Sequence, residues 1–321
     1  MKFVRQLNTF TKMKNKKSSG DLTITIAICA LNEEANIGKL LDSIMIQEEE
    51  GYKLEKILVI SDGSTDRTVE IAKTFGKRVE VKAYKQRKGK SSRLNEIYTG
   101  VTSDVVVQPD ADVILAHEYV IRDVVKPFIG NPKVGMTGGH PIPLPAETFL
   151  EKAVNYTLEV YIPFRKKLNG GNNILSATGR LLALRKEVFR NITVPKDTIA
   201  NDGFVYFCSI TQGYLYRYAE NAVVYFRSPQ TLKDHVSQNT RFAATHTWMK
   251  QFFPPELVEK EYSIPAVDLY LEMLKQFIKH PILSGYIFLI NKYCALRAVI
   301  LKKKINAIWD IVYSTKRLTK A

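Results

Sequence analysis

Apolar residues in the first part of the chain form short β-branched runs that alternate with segments of helical spacing. The run at 22–29 (LTITIAIC) is typical of a buried strand, and Ile37, Leu40, Leu41 and Ile44 then recur at helical intervals. Further strands are predicted at 57–60, 79–84 and 105–108, and further helices at 66–75 and 90–101. This alternation predicts an α/β fold with a doubly wound, Rossmann-like, mostly parallel sheet.

The pattern becomes less regular after the pair Gly138-Gly139. Helices are predicted at 148–168, 186–190, 202–213 and 230–250, and strands at 181–184, 214–218 and 222–226. Because no linker interrupts this region, we expect one domain at 21–255, made of two halves (21–139 and 140–255). A basic arm (1–20) precedes it, and an amphipathic helical extension (256–321) follows.

The helical extension has its most apolar window at 282–301, which contains Asn291, Lys292 and Arg297. A spanning helix needs about 20 nearly uncharged residues, so this window is a poor candidate for one. Aromatic and basic side chains favour a helix lying on an acidic membrane surface instead: Tyr286, Tyr293, Trp309, Lys302, Lys303 and Lys304. The alternative is a helical pair that packs on the domain in solution.

The chain carries a net charge of +15, from 47 Lys and Arg against 32 Asp and Glu. Such a surface favours anionic partners, which include acidic lipids, phosphorylated substrates and nucleic acid. Basic residues concentrate at the two ends without interleaved aromatic residues, so no nucleic-acid partner is expected. Three cysteines far apart and the absence of an apolar leader in the first twenty residues predict a cytoplasmic protein, which the helical extension could hold peripherally at the cytoplasmic membrane face.

Acidic residues follow two of the predicted strands. Asp110 and Asp112 come after the strand at 105–108, and Asp62 comes after the strand at 57–60. In open α/β sheets ligands bind at the carboxyl ends of the strands. Residues two apart point to the same side, so Asp110 and Asp112 could hold Mg²⁺ or Mn²⁺ against a diphosphate. Asp62 could accept a hydrogen bond from a nucleoside, or could only cap its turn.

A third acid and one helix complete the candidate chemistry. Asp202 stands where a helix begins, so it could be an N-cap or a general base that removes a proton from an acceptor hydroxyl. Gln238 and Arg241 share one face of the helix at 230–250, and Arg241 could bind a diphosphate. Phe242 or Trp248 could stack on a sugar.

Seven stretches in order resemble family 2 glycosyltransferases with the GT-A fold, over roughly residues 22–245. They are ITIAICALNEEANIGKLLDSI, ILVISDGSTDRTVEIA, RKGKSSRLNEI, VVVQPDADV, ATGRLLALRKEVF, NDGFVYFCSITQGY and QNTRF. The resemblance implies inverting transfer from a nucleoside diphosphate sugar, most often a UDP-sugar, to a hydroxyl of a glycan or lipid-linked acceptor. It also implies a divalent metal, Mn²⁺ or Mg²⁺.

The resemblance assigns roles to individual residues. Asp202 matches the catalytic base, and Asp110 and Asp112 match the metal motif, with Asp112 the preferred direct ligand. Donor contacts are implied for Cys29, Ala30, Leu31, Asn32, Glu33, Asp62, Lys90, Asn95, Asp110, Ala111, Asp112, Gln238 and Arg241. Acceptor contacts are expected for Gly179, Asn201, Phe242 and Trp248.

The sequence departs from the family pattern at several positions. Ser61 replaces the first acid of the usual Asp-Asp-Gly-Ser, and Leu31 stands where an aromatic residue often stacks on the base. Asn201 replaces the acid that usually precedes the catalytic Asp, and Phe242 replaces the usual Trp. The long transmembrane helices of the processive synthases are missing from the sequence, so a non-processive or peripheral enzyme of surface polysaccharide or glycolipid synthesis is expected.

Two other classes of protein remain open. A sugar nucleotidyltransferase would share the sheet and the metal acids, but it normally has a Gly-rich phosphate loop after the first strand. Here that loop contains Leu31, Asn32, Glu33 and Glu34. A non-catalytic, basic nucleic-acid-binding protein would use the net charge alone.

Overall fold

A computed structural model describes residues 22–301 together with Thr315 and Leu318. The predicted basic arm at 1–20, and Lys302, Lys303, Lys304 and Trp309, lie outside the described residues. The strands are β1 (Leu22–Ala30), β2 (Tyr52–Asp62), β3 (Val79–Tyr84), β4 (Val105–Pro109), β5 (Val113–Leu115), β6 (Val134–Pro143), β7 (Leu181–Arg185) and β8 (Leu215–Phe226).

Helices connect these strands and extend the chain beyond them. They are α1 (Ile37–Met45), α2 (Thr68–Thr74), α3 (Lys90–Gly100), α4 (Val120–Val125), α5 (Phe149–Lys167), α6 (Lys186–Phe189), α7 (Asn201–Thr211), α8 (Leu232–Met249), α9 (Pro255–Tyr262), α10 (Ala266–Lys279) and α11 (Pro281–Ile300). Short 3₁₀ turns lie at Gly76–Arg78, Lys126–Phe128 and Leu168–Gly171.

The strands form one mixed sheet in the order β3-β2-β1-β4-β7-β6-β8-β5. The pairs β1–β2, β2–β3, β1–β4 and β6–β8 are parallel, whereas β4–β7, β6–β7 and β5–β8 are antiparallel. The predicted mostly parallel α/β sheet is therefore confirmed. The sheet crosses the predicted division at 139/140, which falls inside β6, so the two halves share one sheet.

The core lies on both faces of the sheet because alternate residues of each central strand point to opposite sides. Ile24, Ile26 and Ile28 of β1 pack against α1, α2 and α4 on one face. Ala27 of β1 and Val106 of β4 pack against α3, α6 and α7 on the other face. Burial on both faces explains why these strands have continuous apolar sequences.

Strand β6 was absent from the sequence prediction because two glycines interrupt its apolar pattern. A Cβ atom at Gly138 would lie 2.2 Å from the Tyr216 hydroxyl, and one at Gly139 would lie 2.7 Å from the Ala222 carbonyl oxygen. Both neighbours belong to β8, so the glycines permit β8 to approach closely. The two short strands predicted at 214–218 and 222–226 form one long strand, β8.

The helices that follow α8 pack on the catalytic domain along one side. Val258 of α9 is fully buried in the core, and α11 buries Leu283, Ile287, Cys294 and Ala298 against the domain. Of the described helices, α11 alone is long and apolar enough to cross a membrane by length and composition, with 22% of its most apolar window buried. No residue of α10 is buried.

A buried ion pair fastens the start of α5 to the end of β8. Arg227 donates to Glu151 at 2.8 Å, and both side chains are almost completely buried. Arg227 also contacts the more exposed carboxylate of Glu147 at 3.2 Å. Removing one partner of a buried pair leaves the other charge uncompensated.

We therefore expect Glu151→Leu to lower the free energy of unfolding by about 3–5 kcal/mol. The matched substitution Glu147→Leu removes a partly exposed carboxylate from the same arginine and should cost less than about 1 kcal/mol. Urea unfolding followed by circular dichroism measures both. Equal destabilisation by the two substitutions would contradict the importance given to the buried carboxylate.

Candidate active site

A cavity of about 290 Å³ opens at the carboxyl ends of β1, β2 and β4. The segment before β7, the first turns of α3 and α7, and one face of α8 complete its wall. Most residues that the sequence predicted for the site line this cavity: Cys29, Ala30, Leu31, Glu33, Asp62, Lys90, Asp110, Ala111, Asp112, Gly179, Asn201, Asp202, Gln238, Arg241 and Phe242.

The acid pair Asp110 and Asp112 lies in the connection between β4 and β5. The ammonium group of Lys90, at the start of α3, contacts Asp110 Oδ1. Burial on its own would lower the pKa of Lys90, but the neighbouring carboxylates, Asp110 first among them, raise it overall. Lys90 is therefore a stable cation that partly neutralises the acid pair.

The carboxylate of Asp202 faces the same acids across Gly179. Asp202 Oδ2 accepts a hydrogen bond from the Gly179 backbone N–H at 3.1 Å, and Oδ1 accepts one from the Gly203 N–H at 2.9 Å. A Cβ atom at Gly179 would lie 3.4 Å from Asp110 Oδ2 and 3.7 Å from Asp202 Oδ2. The N-cap residue of α7 is Ala200, so Asp202 does not cap this helix.

Asp62 is buried at the end of β2, where its carboxylate accepts three hydrogen bonds. Oδ1 accepts from the Lys88 N–H at 2.9 Å and from Arg93 Nε at 2.7 Å, and Oδ2 accepts from the Gly89 N–H at 2.7 Å. These bonds tie β2 to the loop before α3. Asp62 thus holds this loop in position, and Asp62 itself also lines the cavity.

Helix α8 brings Gln238, Arg241 and Phe242 to the cavity. Burial lowers the pKa of Arg241 to about 10, although Asp202 and Asp110 act in the opposite direction. The guanidinium group therefore remains charged at neutral pH and lies within electrostatic range of both acids. Phe242 is half exposed at the rim.

Three predicted site residues do not line the cavity. Asn32 has a left-handed backbone (φ 53°), and its N–H donates to the Ser64 hydroxyl at 3.1 Å, so it shapes the turn after β1. The amide of Asn95 exchanges two hydrogen bonds with the backbone of Val194, at 2.9 and 2.7 Å. Trp248 packs in the core against aromatic rings of α7 and of the segment after α8.

Three basic residues that were not predicted from the sequence also line the cavity: Arg87, Arg180 and Arg227. The guanidinium of Arg180 lies 3.5 Å from the centroid of the Phe226 ring. Burial lowers the pKa of Arg180, while Asp112, Asp110 and Asp202 counteract this. The sequence feature that could have identified Arg180 is its position directly after Gly179 in the motif ATGRLLALRK.

The carboxylate pair fits a divalent cation that takes its other ligands from a diphosphate and water. Mg²⁺ is commonly held by one or two carboxylates together with substrate phosphates. Among the residues that the structure describes, no group of three or more His, Cys, Asp or Glu side chains could hold a metal by itself. A metal held at Asp110 and Asp112 would therefore depend on its substrate for further oxygen ligands.

The model of one protein family, Glycosyl transferase family 2, matches residues 25–193 of this sequence. The match covers more than half of the chain and includes β1, β2, the acid pair after β4 and β7. The chain belongs to Glycosyl transferase family 2. The predicted class of enzyme, a family 2 glycosyltransferase, is thereby confirmed.

Two curated relatives illustrate the range of the family. A glucosyl-3-phosphoglycerate synthase of Petrotoga mobilis is 31% identical over 135 residues, which cover 40% of this chain and 41% of that protein. A poly-beta-1,6-N-acetyl-D-glucosamine synthase of Staphylococcus epidermidis is 26% identical over 263 residues, or 79% of this chain and 60% of that protein. This chain therefore spans less than two thirds of either relative.

Solved structures confirm the fold, including the GT-A assignment. A mannosyltransferase from Pyrobaculum calidifontis, in complex with GDP-Man and Mn²⁺, aligns with a TM-score of 0.64 at 16% identity, covering 89% of this chain and 88% of that one. Glucosyl-3-phosphoglycerate synthase from Mycobacterium tuberculosis, in complex with Mn²⁺, UDP and phosphoglyceric acid, gives a TM-score of 0.51 at 18% identity, covering 72% and 78%.

The cysteine in the cavity is a neutral thiol. Burial raises the pKa of Cys29 to about 12, despite the opposing effect of Lys90. Burial also raises the pKa of Cys208 to about 12 and raises that of Cys294. A higher pKa leaves less of the reactive thiolate at a given pH.

We expect iodoacetamide to alkylate Cys29 and Cys208 of the native protein at pH 8 at less than about a hundredth of their rates in the unfolded chain, since an ordinary thiol has a pKa of about 8.5. Mass spectrometry of tryptic peptides measures each site. Rapid, selective labelling of Cys29 would contradict a neutral thiol there. Labelling in urea provides the reference rate.

Proposed function

We propose that this chain transfers a sugar from a nucleoside diphosphate sugar, a UDP-sugar in the first instance, to an acceptor hydroxyl with inversion. The observation that carries the proposal is the meeting of Asp110, Asp112 and Asp202 around Gly179 in one cavity. Asp110 and Asp112 suit the binding of the donor, and Asp202 suits the activation of the acceptor hydroxyl. Family membership supports this assignment.

On the donor side, Asp110 and Asp112 would hold Mn²⁺ or Mg²⁺, with Asp112 as the preferred direct ligand. A metal there supplies charge neutralisation for the departing diphosphate. Lys90 and Arg241 add two cations to the lining of the same cavity. Because a guanidinium presents paired N–H donors, Arg241 suits phosphate oxygens particularly well.

On the acceptor side, Asp202 is the proposed general base. As the acceptor oxygen forms its bond to the anomeric carbon, Asp202 takes the hydroxyl proton and the bond to the diphosphate breaks. The N–H groups of Gly179 and Gly203 hold the carboxylate in one orientation. Asn201 precedes it in the chain, and its amide oxygen accepts a hydrogen bond from the Ser91 hydroxyl at 2.9 Å.

The nucleotidyltransferase alternative finds less support. Glu33 is buried in the loop after β1, and the Asn32 N–H donates to Ser64 rather than facing the cavity. That loop therefore offers little to a triphosphate. A non-catalytic nucleic-acid-binding protein would bind phosphates with basic side chains alone, and the three carboxylates of this cavity would have no role in it.

We expect Asp112→Ala and Asp202→Asn to separate donor binding from transfer. Asp112→Ala should abolish the Mn²⁺-dependent thermal stabilisation by UDP, because the donor loses a metal ligand. Asp202→Asn should keep that stabilisation but lower kcat by about 10²–10⁴-fold, the contribution of a general base. A screen of UDP-, GDP- and dTDP-sugars by thermal shift and by nucleotide release measures both effects.

Asp197→Asn is the matched control, because Asp197 is an exposed acid in the segment before α7. It should leave both binding and transfer unchanged. Near-normal turnover by Asp202→Asn would remove Asp202 as the base. Metal-independent stabilisation by UDP would remove the metal from the proposal, and pyrophosphate release from UTP and a sugar phosphate would favour the nucleotidyltransferase.

We also propose that α10 and α11 contact an acidic membrane surface and that the enzyme works at the cytoplasmic membrane face. Large apolar side chains of these helices are exposed, with Ile278, Ile282, Val299 and Ile300 each at 73% or more. Exposed apolar surface on this scale marks an interaction site. Lys292 lies on the same pair of helices and suits an anionic headgroup.

We expect the protein to float with vesicles that contain phosphatidylglycerol, and to bind neutral phosphatidylcholine vesicles more weakly. Replacing Ile278 and Ile282 by Ser should release it from the vesicles, because both side chains project from the domain. Replacing Ile46, an exposed isoleucine of another surface, should have no effect. Unchanged flotation of the Ile278 and Ile282 variant would contradict the proposal.

A further inference from the structure

A polar side chain stands within the apolar face that α11 turns towards the domain. The buried residues of this helix recur at helical intervals, at Leu283, Ile287, Cys294 and Ala298. Asn291 falls on the same stripe, because it follows Ile287 by four residues and precedes Cys294 by three. The stripe therefore has an amide at a position where its spacing calls for an apolar residue.

Asn291 joins α11 to α8 through two hydrogen bonds to one oxygen. Asn291 Oδ1 accepts from His235 Nε2 at 3.1 Å and from Asn239 Nδ2 at 2.7 Å. Burial lowers the pKa of His235 below its ordinary value, although the bond to Asn291 acts in the opposite direction. The imidazole is therefore neutral at neutral pH, and its bond to an amide oxygen places the ring proton on Nε2. One oxygen of α11 thus serves two donors of α8.

The two donors lie in the part of α8 that also borders the catalytic cavity. Gln238 comes between His235 and Asn239 in the chain, and Arg241 follows two residues after Asn239. Both Gln238 and Arg241 line the cavity. Because His235 and Asn239 are four residues apart, the two hydrogen bonds hold the ends of one helical turn. They therefore fix the rotation of the turn that carries Gln238.

Apolar packing alone would not fix this rotation. Apolar contacts are non-directional, so sliding α11 along α8 would exchange one such contact for another. A displaced Asn291 would leave the donors of His235 and Asn239 without their acceptor, and an unpaired buried donor is costly. A single polar residue in an apolar interface between two helices can fix their register for this reason.

We propose that Asn291 is a positioning residue for the transfer reaction. It fixes the register of α11 on α8, and the rotation of α8 in turn sets the orientation in which Gln238 and Arg241 meet the donor diphosphate. This inference rests on the proposed function, since the diphosphate is the ligand that this helix would bind. It also explains an amide within the most apolar window of the chain, where a helix surrounded by lipid would rarely have one.

The test is calorimetric binding of UDP with Mn²⁺ to the full chain. Asn291→Leu should weaken UDP binding about tenfold, the value of a hydrogen bond to a charged group, because Arg241 is no longer held against the diphosphate. Asn191→Leu is the matched control, since Asn191 is exposed and its amide donates to the Glu187 carbonyl at 2.7 Å. It should leave the UDP affinity unchanged. Equal UDP affinity in the wild type and in Asn291→Leu would overturn the proposal.

A triple variant separates positioning from stability and keeps the proposal testable if Asn291→Leu does not fold. Replacing His235, Asn239 and Asn291 together by Leu removes both donors and their acceptor, so the melting temperature should stay close to that of the wild type. The UDP affinity should remain about tenfold lower, because apolar side chains do not fix the register. Recovery of the wild-type UDP affinity in this variant would show that the three residues serve folding alone, and would overturn the proposal.

The route of the effect is tested by making Asn291→Leu in a background that already carries Gln238→Ala and Arg241→Gln. There the substitution should weaken UDP binding by about twofold or less, because the contacts that Asn291 positions are already lost. A loss as large as in the wild-type background would place the action of Asn291 elsewhere and overturn the proposal. Failure of the wild type to bind UDP with Mn²⁺ would instead count against the proposed function.

Discussion

Four carboxylates gathered at one edge of the sheet are the constraint around which this domain is built. Asp62, Asp110, Asp112 and Asp202 all line one cavity, and their mutual repulsion must be offset within it. The chain supplies the compensating charges from separate elements: Lys90 and Arg93 from α3, Arg180 from the segment before β7, and Arg241 from α8. The acids are therefore neutralised only when these separate elements pack together.

This arrangement also explains why the cavity suits a dianionic ligand accompanied by a dication. The acids and the fixed cations are close to balanced, so a metal or a diphosphate entering separately would upset that balance. A metal bound together with a diphosphate would preserve it. The balance is therefore a physical reason to link donor binding to metal binding, beyond the resemblance to other members of the family.

Prediction from the sequence was most accurate where the local sequence pattern alone marks the position of an element. The strand at 79–84 and the helix beginning at Lys90 agree closely with β3 and α3, because apolar periodicity and turn residues mark their ends. The acids were found because they directly follow buried strands. Strand β6 was not predicted because Gly138 and Gly139 interrupt its apolar pattern. These glycines make room for β8, and that requirement gives no apolar signal in the sequence.

The misplaced and missed site residues have similar causes. Asn95 stands in a motif that matches the family, yet its amide serves the backbone of Val194, a partner about a hundred positions away that no local pattern reveals. Arg180 was missed because a lone arginine in a sequence does not disclose whether it is paired. Its significance depends on which acids the fold brings near, and that is a property of three-dimensional packing.

The position of Gly179 between two carboxylates has an evolutionary consequence. The floor of the cavity at this point is backbone; a methyl group would be in van der Waals contact with Asp110, and a longer side chain would enter the space between the two carboxylates. Variation in the family cannot readily use this position to select a different sugar or acceptor. New specificities would have to arise at the rim, as at Phe242 of α8, where side chains can change without disturbing the acids.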